Sequence, residues 1–224
     1  MIGLRIILLI IGYVCGLLET GVLYGKISGT DIRKHGSGNS GTTNALRVLG
    51  FKAGLIVFIG DFCKSFIPCM VVRFVFRNTY PDSYYLLMVY TGCGAVLGHI
   101  FPFYLKFKGG KGIATVGGFA ASVIHPIFIP VLLIIFVGII AITKYMSVGS
   151  ICLMISIAAT FIIQAFLGLT CFDLSVSSSK NAFIESSILV ILLAGLAIFK
   201  HKANIQRLIN HEENKFHFKK QEGV

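Results

Sequence analysis

Residues 29–50, GTDIRKHGSGNSGTTNALRVLG, form the polar stretch around which the rest of the chain is organised. The chain on either side is apolar for the length of a membrane span. Within the stretch, basic side chains stand beside a glycine cluster at Gly36, Gly38 and Gly41. Glycines let backbone N–H groups approach an anion closely, and neighbouring arginines add positive charge. The stretch therefore predicts a site for an anionic ligand at a membrane surface.

The composition is that of an integral membrane protein. Of 224 residues, 55% are hydrophobic and 13% are charged, whereas about a quarter of the residues in an ordinary globular domain are charged. We therefore expect an all-α protein forming a single membrane-embedded domain over residues 1–224. The net charge of +11 is typical of basic cytoplasmic loops, and no nucleic-acid partner is expected. The scattered cysteines indicate neither a metal site nor a disulfide framework.

Hydropathy predicts five apolar spans and one longer apolar stretch. The spans are residues 2–24, 53–76, 84–103, 147–169 and 182–199, and the longer stretch is residues 113–143, which is interrupted at His125–Pro126. If the longer stretch crosses twice, nearly all loop lysines and arginines fall on one side, and only Arg73, Arg77 and Lys180 fall on the other. The positive-inside rule then predicts a bundle of seven transmembrane helices, with the N-terminus outside and the C-terminus cytoplasmic. About 15 residues per crossing is short against the roughly 20 needed to span, so the two helices need not both cross the whole layer.

The glycine cluster matches the pattern G-x-G-x-x-G, but its context does not fit a dinucleotide site. That site needs a preceding buried strand, and the neighbours here are membrane helices. Residues 42–44 are expected to open the next helix, where the dipole favours phosphate, and Arg47 follows about one turn later as a phosphate partner. The alternative interpretation is a flexible loop with ordinary cytoplasmic positive charge.

A second candidate loop is residues 107–112, FKGGKG. It lacks the spacing of a Walker A loop, yet it combines glycines, Lys111 and a helix start just after Gly112. It predicts a second anion site, and the alternative is a turn that is basic for topological reasons. Both loops lie on the same predicted side of the membrane.

Polar residues also recur where the chain leaves its last span. His201, Asn204 and Arg207 lie at i, i+3 and i+6, which places them on one helical face. An amphipathic helix on the lipid surface is the alternative interpretation. Within the second span, Asp61 and Lys64 are expected to form an ion pair that holds the bundle, in preference to a catalytic role.

Three motifs in order resemble the bacterial acyl-phosphate:glycerol-3-phosphate acyltransferase family (PlsY). They are residues 31–50, residues 98–115 and residues 201–213, and together they span nearly the whole chain. The chain departs from the family pattern at Ser40 and Thr42, and at His211, where the third motif usually has glycine.

The resemblance implies transfer of a fatty acyl group from acyl phosphate to the 1-position hydroxyl of glycerol 3-phosphate, giving lysophosphatidic acid and phosphate. The fold would be a seven-helix bundle in the bacterial inner membrane, with the active site facing the cytoplasm. The partners are the two substrates and membrane lipid, and we expect a monomer with no cofactor and no metal.

The resemblance and the loop chemistry together give two sets of candidate site residues. The catalytic candidates are Lys111, Ser150, His201 and Asn204. The candidates for binding substrate phosphates are Ser37, Gly38, Asn39, Thr43, Asn44, Arg47, Gly109, Gly110, Gly112 and Arg207. Acyl-CoA-dependent glycerolipid acyltransferases use the sequence His-x-x-x-x-Asp, and no histidine here precedes an aspartate by five residues. The general base is therefore not identified. Our hypothesis is that a phosphate oxygen of the substrate takes the proton, assisted by His201.

Other functions explain the sequence less well. An anion transporter would place polar groups near the midplane, usually in repeated halves, and no repeat is found. A non-enzymatic scaffold would not explain two phosphate-like loops. A metal-dependent lipid phosphotransferase would need a carboxylate cluster, and Glu19, Asp31 and Asp61 are not adjacent in sequence.

Overall fold

The computed structural model describes residues 1–170, 172 and 174–216. These residues form ten α-helices and three short 3-10 turns. The helices are α1 (Ile2–Gly16), α2 (Thr20–Ile27), α3 (Thr42–Leu49), α4 (Phe51–Phe76), α5 (Tyr84–Ile100), α6 (Ile113–Val123), α7 (Ile129–Thr143), α8 (Met146–Phe166), α9 (Ser177–Phe199) and α10 (Lys202–Ile209). The all-α prediction is confirmed.

Six segments in the described part of the chain are long and apolar enough to cross a membrane. They are Ile2–Ile27, Phe51–Phe76, Tyr84–Leu105, Pro126–Thr143, Met146–Phe166 and Ser177–Phe199. Helix α6 is apolar but has only 11 residues. The protein is therefore a multi-pass membrane protein, and the seven-crossing topology with its stated orientation stays a prediction.

Helix α5 lies at the centre of the bundle and packs closely against α1. A side chain at Gly98 would lie 2.2 Å from the carbonyl oxygen of Tyr13, so the glycine is needed for the two backbones to approach. Most of α5 is buried, whereas α1, α4 and α7 expose large apolar residues on their outer faces. This distribution fits helices that surround a packed centre and face lipid outside.

The first apolar run is broken where hydropathy predicts one continuous span. Helix α1 ends at Gly16, and α2 begins after Glu19, which has non-helical dihedrals of φ −84° and ψ 85°. Lys64 Nζ of α4 donates to the carbonyl oxygen of Leu18 at 2.8 Å. A break inside a membrane leaves carbonyl groups without helical partners, and here a buried ammonium group satisfies one of them.

The predicted break at His125–Pro126 is confirmed. Helix α6 ends at Val123, a 3-10 turn covers Pro126–Phe128, and α7 follows. The fully buried Gln164 of α8 accepts from the His125 backbone N–H at 2.7 Å and donates to the Val123 carbonyl at 3.0 Å. One side chain thus satisfies backbone groups on both sides of the break.

Candidate active site

A cavity of about 600 Å³ lies between α4, α6, α7 and α8, with α3 and α10 at its polar end. The candidate residues that line it come from all three motifs and, for Ser150, from α8; they are Ser37, Asn39, Thr43, Asn44, Arg47, Lys111, Gly112, Ser150, His201, Asn204 and Arg207. The opposite part of the lining is apolar and includes Phe58, Phe62, Leu132, Phe136 and Leu153. The cavity therefore joins a cationic polar end to a long apolar compartment.

Asn44 holds the glycine-rich stretch in shape. Its Oδ1 accepts from the Ser37 backbone N–H at 2.8 Å, and its Nδ2 donates to the carbonyls of Ile32 at 2.8 Å and His35 at 3.2 Å. Residues 42–44 open the eight-residue helix α3, which Gly41 caps, and not the spanning helix α4. Asn44 is thus engaged with the loop itself, while Arg47 at the other end of α3 is exposed beside the cavity.

The other glycines predicted to bind phosphate lie outside the cavity lining. The Gly109 N–H donates to the Ile100 carbonyl at 3.2 Å, and the Gly110 N–H donates to the His99 carbonyl at 3.1 Å. A side chain at Gly109 would lie 1.9 Å from the His99 carbonyl oxygen. These two glycines let the loop lie flat on the end of α5, and the Gly38 N–H likewise donates to the His35 carbonyl at 3.0 Å.

Lys111 projects from this loop into the cavity and donates to Asn204 Oδ1 at 2.5 Å. Gly112, in the left-handed region at φ +86°, turns the chain directly after Lys111 into α6. Burial lowers the pKa of Lys111 from 10.5 to about 8, with Arg207 and Arg47 adding to the effect and Glu213 opposing it. The lysine is therefore protonated at neutral pH but close to its titration range.

His201 occupies the turn between α9 and α10 and is almost completely buried. Its Nδ1 lies 2.8 Å from the Ala197 carbonyl oxygen, which can only accept, so Nδ1 carries a proton. Burial lowers the pKa of His201, and the carbonyl hydrogen bond opposes that shift. In the neutral ring Nε2 is left as a hydrogen-bond acceptor.

Glu213 connects the C-terminal segment to the cavity, and sequence reasoning did not place it in the site. Its carboxylate accepts from Asn204 Nδ2 at 2.7 Å, Arg207 Nε at 2.8 Å and Ser147 Oγ at 2.9 Å. Burial opposes ionisation, but these hydrogen bonds hold the pKa of Glu213 below its usual range. The only sequence signal for Glu213 was its position at the end of the third motif.

The turn that carries Glu213 to this position is centred on His211. His211 has φ +58°, in the left-handed region that favours glycine. His211 thus adopts a backbone conformation that glycine adopts more readily, at a position where the third motif usually has glycine. Ser147, at the start of α8, was also missed, because a serine in an apolar run gives no sign of its partner.

A buried ion cluster is formed by Glu19, Asp61, Lys64 and His99, and two of its members, Asp61 and His99, line the cavity. Lys64 Nζ is 3.0 Å from Asp61 Oδ1, 3.8 Å from Glu19 Oε1 and 2.7 Å from His99 Nδ1. The expected pairing of Asp61 with Lys64 is confirmed. The Ser40 hydroxyl donates to Glu19 Oε2 at 2.7 Å, which ties the glycine-rich stretch to this cluster.

The chain is similar in sequence to known proteins over nearly its whole length. Residues 6–211 match the family model described as glycerol-3-phosphate acyltransferase. The chain belongs to the glycerol-3-phosphate acyltransferase family. The protein of that name from Endomicrobium trichonymphae is 38% identical over 220 residues, covering 97% of this chain and 98% of that protein. The one from Fusobacterium nucleatum is 37% identical, covering 94% and 97% respectively.

Solved structures of family members have the same fold. The glycerol 3-phosphate form of PlsY (YgiH), an integral membrane glycerol 3-phosphate acyltransferase, superposes with a TM-score of 0.78 at 31% identity, covering 95% of this chain and 96% of the other. Its lysophosphatidic acid form gives a TM-score of 0.76 at the same identity, with 95% of each chain covered. The resemblance drawn from the three motifs is confirmed, and the protein is an acyltransferase enzyme of this family.

Proposed function

We propose that this acyltransferase takes its acyl group from an acyl phosphate, transfers it to the 1-position hydroxyl of glycerol 3-phosphate, and releases lysophosphatidic acid and phosphate. The observation that carries the proposal is that a cationic polar end and an apolar compartment belong to one and the same cavity. Such a cavity suits a donor that combines a fatty chain with a phosphate, next to an acceptor that carries a second phosphate.

The charges at the polar end suit two phosphates. Arg47, Lys111 and Arg207 line it, and one of the three, Arg207, is already paired with the carboxylate of Glu213. Arginine binds phosphate oxygens with two parallel hydrogen bonds, while a lysine acts as a compact point charge. We assign the substrate phosphates to these cations, with Ser37, Asn39 and Thr43 as polar neighbours.

The reaction needs positioning and charge stabilisation more than covalent catalysis. The acceptor hydroxyl oxygen forms a bond to the acyl carbonyl carbon, and the bond from that carbon to the phosphate oxygen breaks, so the leaving phosphate carries away the electron pair. The hydroxyl proton passes to a phosphate oxygen, assisted by the acceptor nitrogen of His201. Holding two anions side by side and stabilising charge on the departing phosphate are roles for Lys111, with Asn204 and Ser150 shaping the pocket around it.

The cellular arrangement follows from the distribution of charge. We propose seven crossings with α6 as the short one, an N-terminus outside, and a site facing the cytoplasm at the bacterial inner membrane. The basic C-terminal segment would then lie on the cytoplasmic side, as the positive-inside rule requires. The enzyme is proposed to act as a monomer formed by one membrane-embedded domain.

The test compares two lysines of the same loop. Lys111 is inside the cavity, whereas Lys108 is exposed and does not line it. With palmitoyl phosphate and labelled glycerol 3-phosphate, Lys111→Ala should lower lysophosphatidic acid formation by at least about a hundredfold, the loss typical of one stabilising group. Lys108→Ala should retain wild-type turnover, and both variants should keep the wild-type thermal midpoint. A fully active, folded Lys111→Ala variant would show that the assignment is wrong.

A further inference from the structure

One face of α6 consists of very small residues turned towards the cavity. Ala114, Gly117 and Ala121 lie at i, i+3 and i+7, which places them on the same side of the helix. All three are half-buried and line the cavity, as does the buried Ala120, while the other residues from Thr115 to Val123 are buried and do not line it. The cavity is therefore wide along α6 because the helix presents almost no side chain there.

The two adjacent glycines of α6, Gly117 and Gly118, differ in whether packing requires a glycine at that position. A Cβ added at Gly118 would lie 2.1 Å from the Phe62 carbonyl oxygen, so that glycine is required for α6 to pack against α4. A Cβ added at Gly117 would meet only Phe62 Cδ2, at 3.9 Å, which is ordinary van der Waals contact. Packing thus does not demand glycine at position 117, and the missing side chain leaves space in the cavity.

The apolar compartment continues towards the lipid. Phe58 of α4 and Leu133 of α7 line the cavity and are 43% and 55% exposed. Helix α7 packs mainly against α8. Residues of both α4 and α7 thus bound the apolar compartment, and the space between these two helices is where we expect an acyl chain to enter from the bilayer.

We propose that Gly117 sets the width of the passage for the acyl chain and thereby sets which chain lengths the enzyme accepts. This inference rests on the proposed function, because it places the acyl group in the apolar compartment and its reacting carbon near Lys111. At about 1.5 Å per residue, Gly117 lies about 6 Å along α6 from Ile113, and Ala121 lies about 12 Å along it. A side chain at position 117 would meet the chain early, and one at position 121 would meet it later.

The experiment measures kcat/KM of the purified full-length enzyme with hexanoyl, decanoyl and palmitoyl phosphate. Burial of each methylene contributes about 0.8 kcal/mol, or roughly fourfold in affinity. Displacing several methylenes in Gly117→Leu should therefore lower the palmitoyl-to-hexanoyl ratio of kcat/KM at least tenfold. Ala121→Leu should lower the same ratio and should affect hexanoyl transfer less than Gly117→Leu does.

Two further variants separate this effect from general damage. Gly138 of α7 has room for a side chain, with no neighbouring atom within 4 Å of an added Cβ, but it does not line the cavity. Gly138→Leu should therefore keep the wild-type ratio. Adding Phe62→Ala to Gly117→Leu removes the ring that faces the new side chain and should restore part of the palmitoyl activity.

A folded Gly117→Leu variant whose ratio equals that of the wild type, or that loses activity equally with all three chains, would overturn the inference. If that variant does not purify as a folded protein, Gly117→Ala decides, with a smaller shift expected in the same direction and an unchanged ratio contradicting it. If the wild type uses acyl-CoA and not acyl phosphate, the proposed donor is wrong, and the same ratios measured with acyl-CoA of matching lengths still test Gly117.

Discussion

The reduced pKa of Lys111 predicts an alkaline limit to activity. Its pKa is lowered by burial to about 8, and we propose that the charged ammonium group contacts a substrate phosphate. One pH unit above the pKa, about one molecule in eleven keeps the proton. The value of kcat/KM for glycerol 3-phosphate should therefore fall about tenfold between pH 7 and pH 9. The second pKa of a phosphate monoester is about 6, so the substrate stays dianionic over this range.

Titration of Lys111 does not itself destabilise the folded protein over this pH range. The folded pKa of Lys111 is below its unfolded value of 10.5, so the unfolded chain binds more protons between about pH 8 and pH 10.5. The contribution of this group to the free energy of unfolding therefore increases with pH in that window. Activity should fall while the part of the stability that depends on Lys111 rises.

The assay is initial-rate transfer from palmitoyl phosphate at subsaturating glycerol 3-phosphate from pH 6 to pH 10, corrected for spontaneous hydrolysis of the donor. Lys111→Arg is the matched variant, because a guanidinium group stays charged throughout this range. Its activity should be lower at pH 7, since the planar fork fits the Asn204 contact poorly, but its alkaline limb should disappear. A flat wild-type profile up to pH 9.5, or a Lys111→Arg profile with the same midpoint, would refute the reasoning.

Three further substitutions test the surroundings of the site. Lys64→Met leaves the carboxylates of the ion cluster buried without their cation and should lower the free energy of unfolding by about 3–5 kcal/mol, measured by denaturant titration in detergent; a change below 1 kcal/mol would contradict the pairing. Glu213→Gln removes the negative charge that holds Arg207 and should raise the KM for glycerol 3-phosphate about tenfold, which corresponds to a loss of about 1.4 kcal/mol of binding free energy. Steady-state kinetics would measure this change, and an unchanged KM would contradict it. Gly118→Leu collides with the Phe62 carbonyl and should fail to yield folded protein in size-exclusion chromatography, so a monodisperse, active variant would show that the packing is misjudged.

Much of the fold could be predicted from sequence, because spans and polar loops differ so strongly in hydropathy. The break before α7 was visible as His125–Pro126, since proline cannot continue the hydrogen bonding of a helix. The break between α1 and α2 was not visible in the sequence, because Glu19 is the only charged residue near it and the run is otherwise apolar. That break depends on Lys64, whose position becomes known only when α4 is packed beside it.

Most of the candidate residues line one cavity, but the sequence missed Ser147 and Glu213, and Gly38, Gly109 and Gly110 lie outside the lining. The motif order brought Lys111, His201 and Asn204 together correctly, because loops at one face of a bundle converge. Gly109 and Gly110 were assigned to phosphate from their composition, yet their amides donate to carbonyls at the end of α5. A glycine that is needed for close packing and one that is needed for an anion look the same in a sequence.

Whether the enzyme takes its acyl group from an acyl phosphate can be decided in one assay. Purified enzyme is given palmitoyl phosphate and labelled glycerol 3-phosphate, with a chelator present and coenzyme A absent, and the labelled lipid product is separated and quantified. If the proposed reaction is right, the products are lysophosphatidic acid and an equal amount of released phosphate. Absence of product under these conditions, with product appearing only when palmitoyl-CoA is supplied, would contradict it.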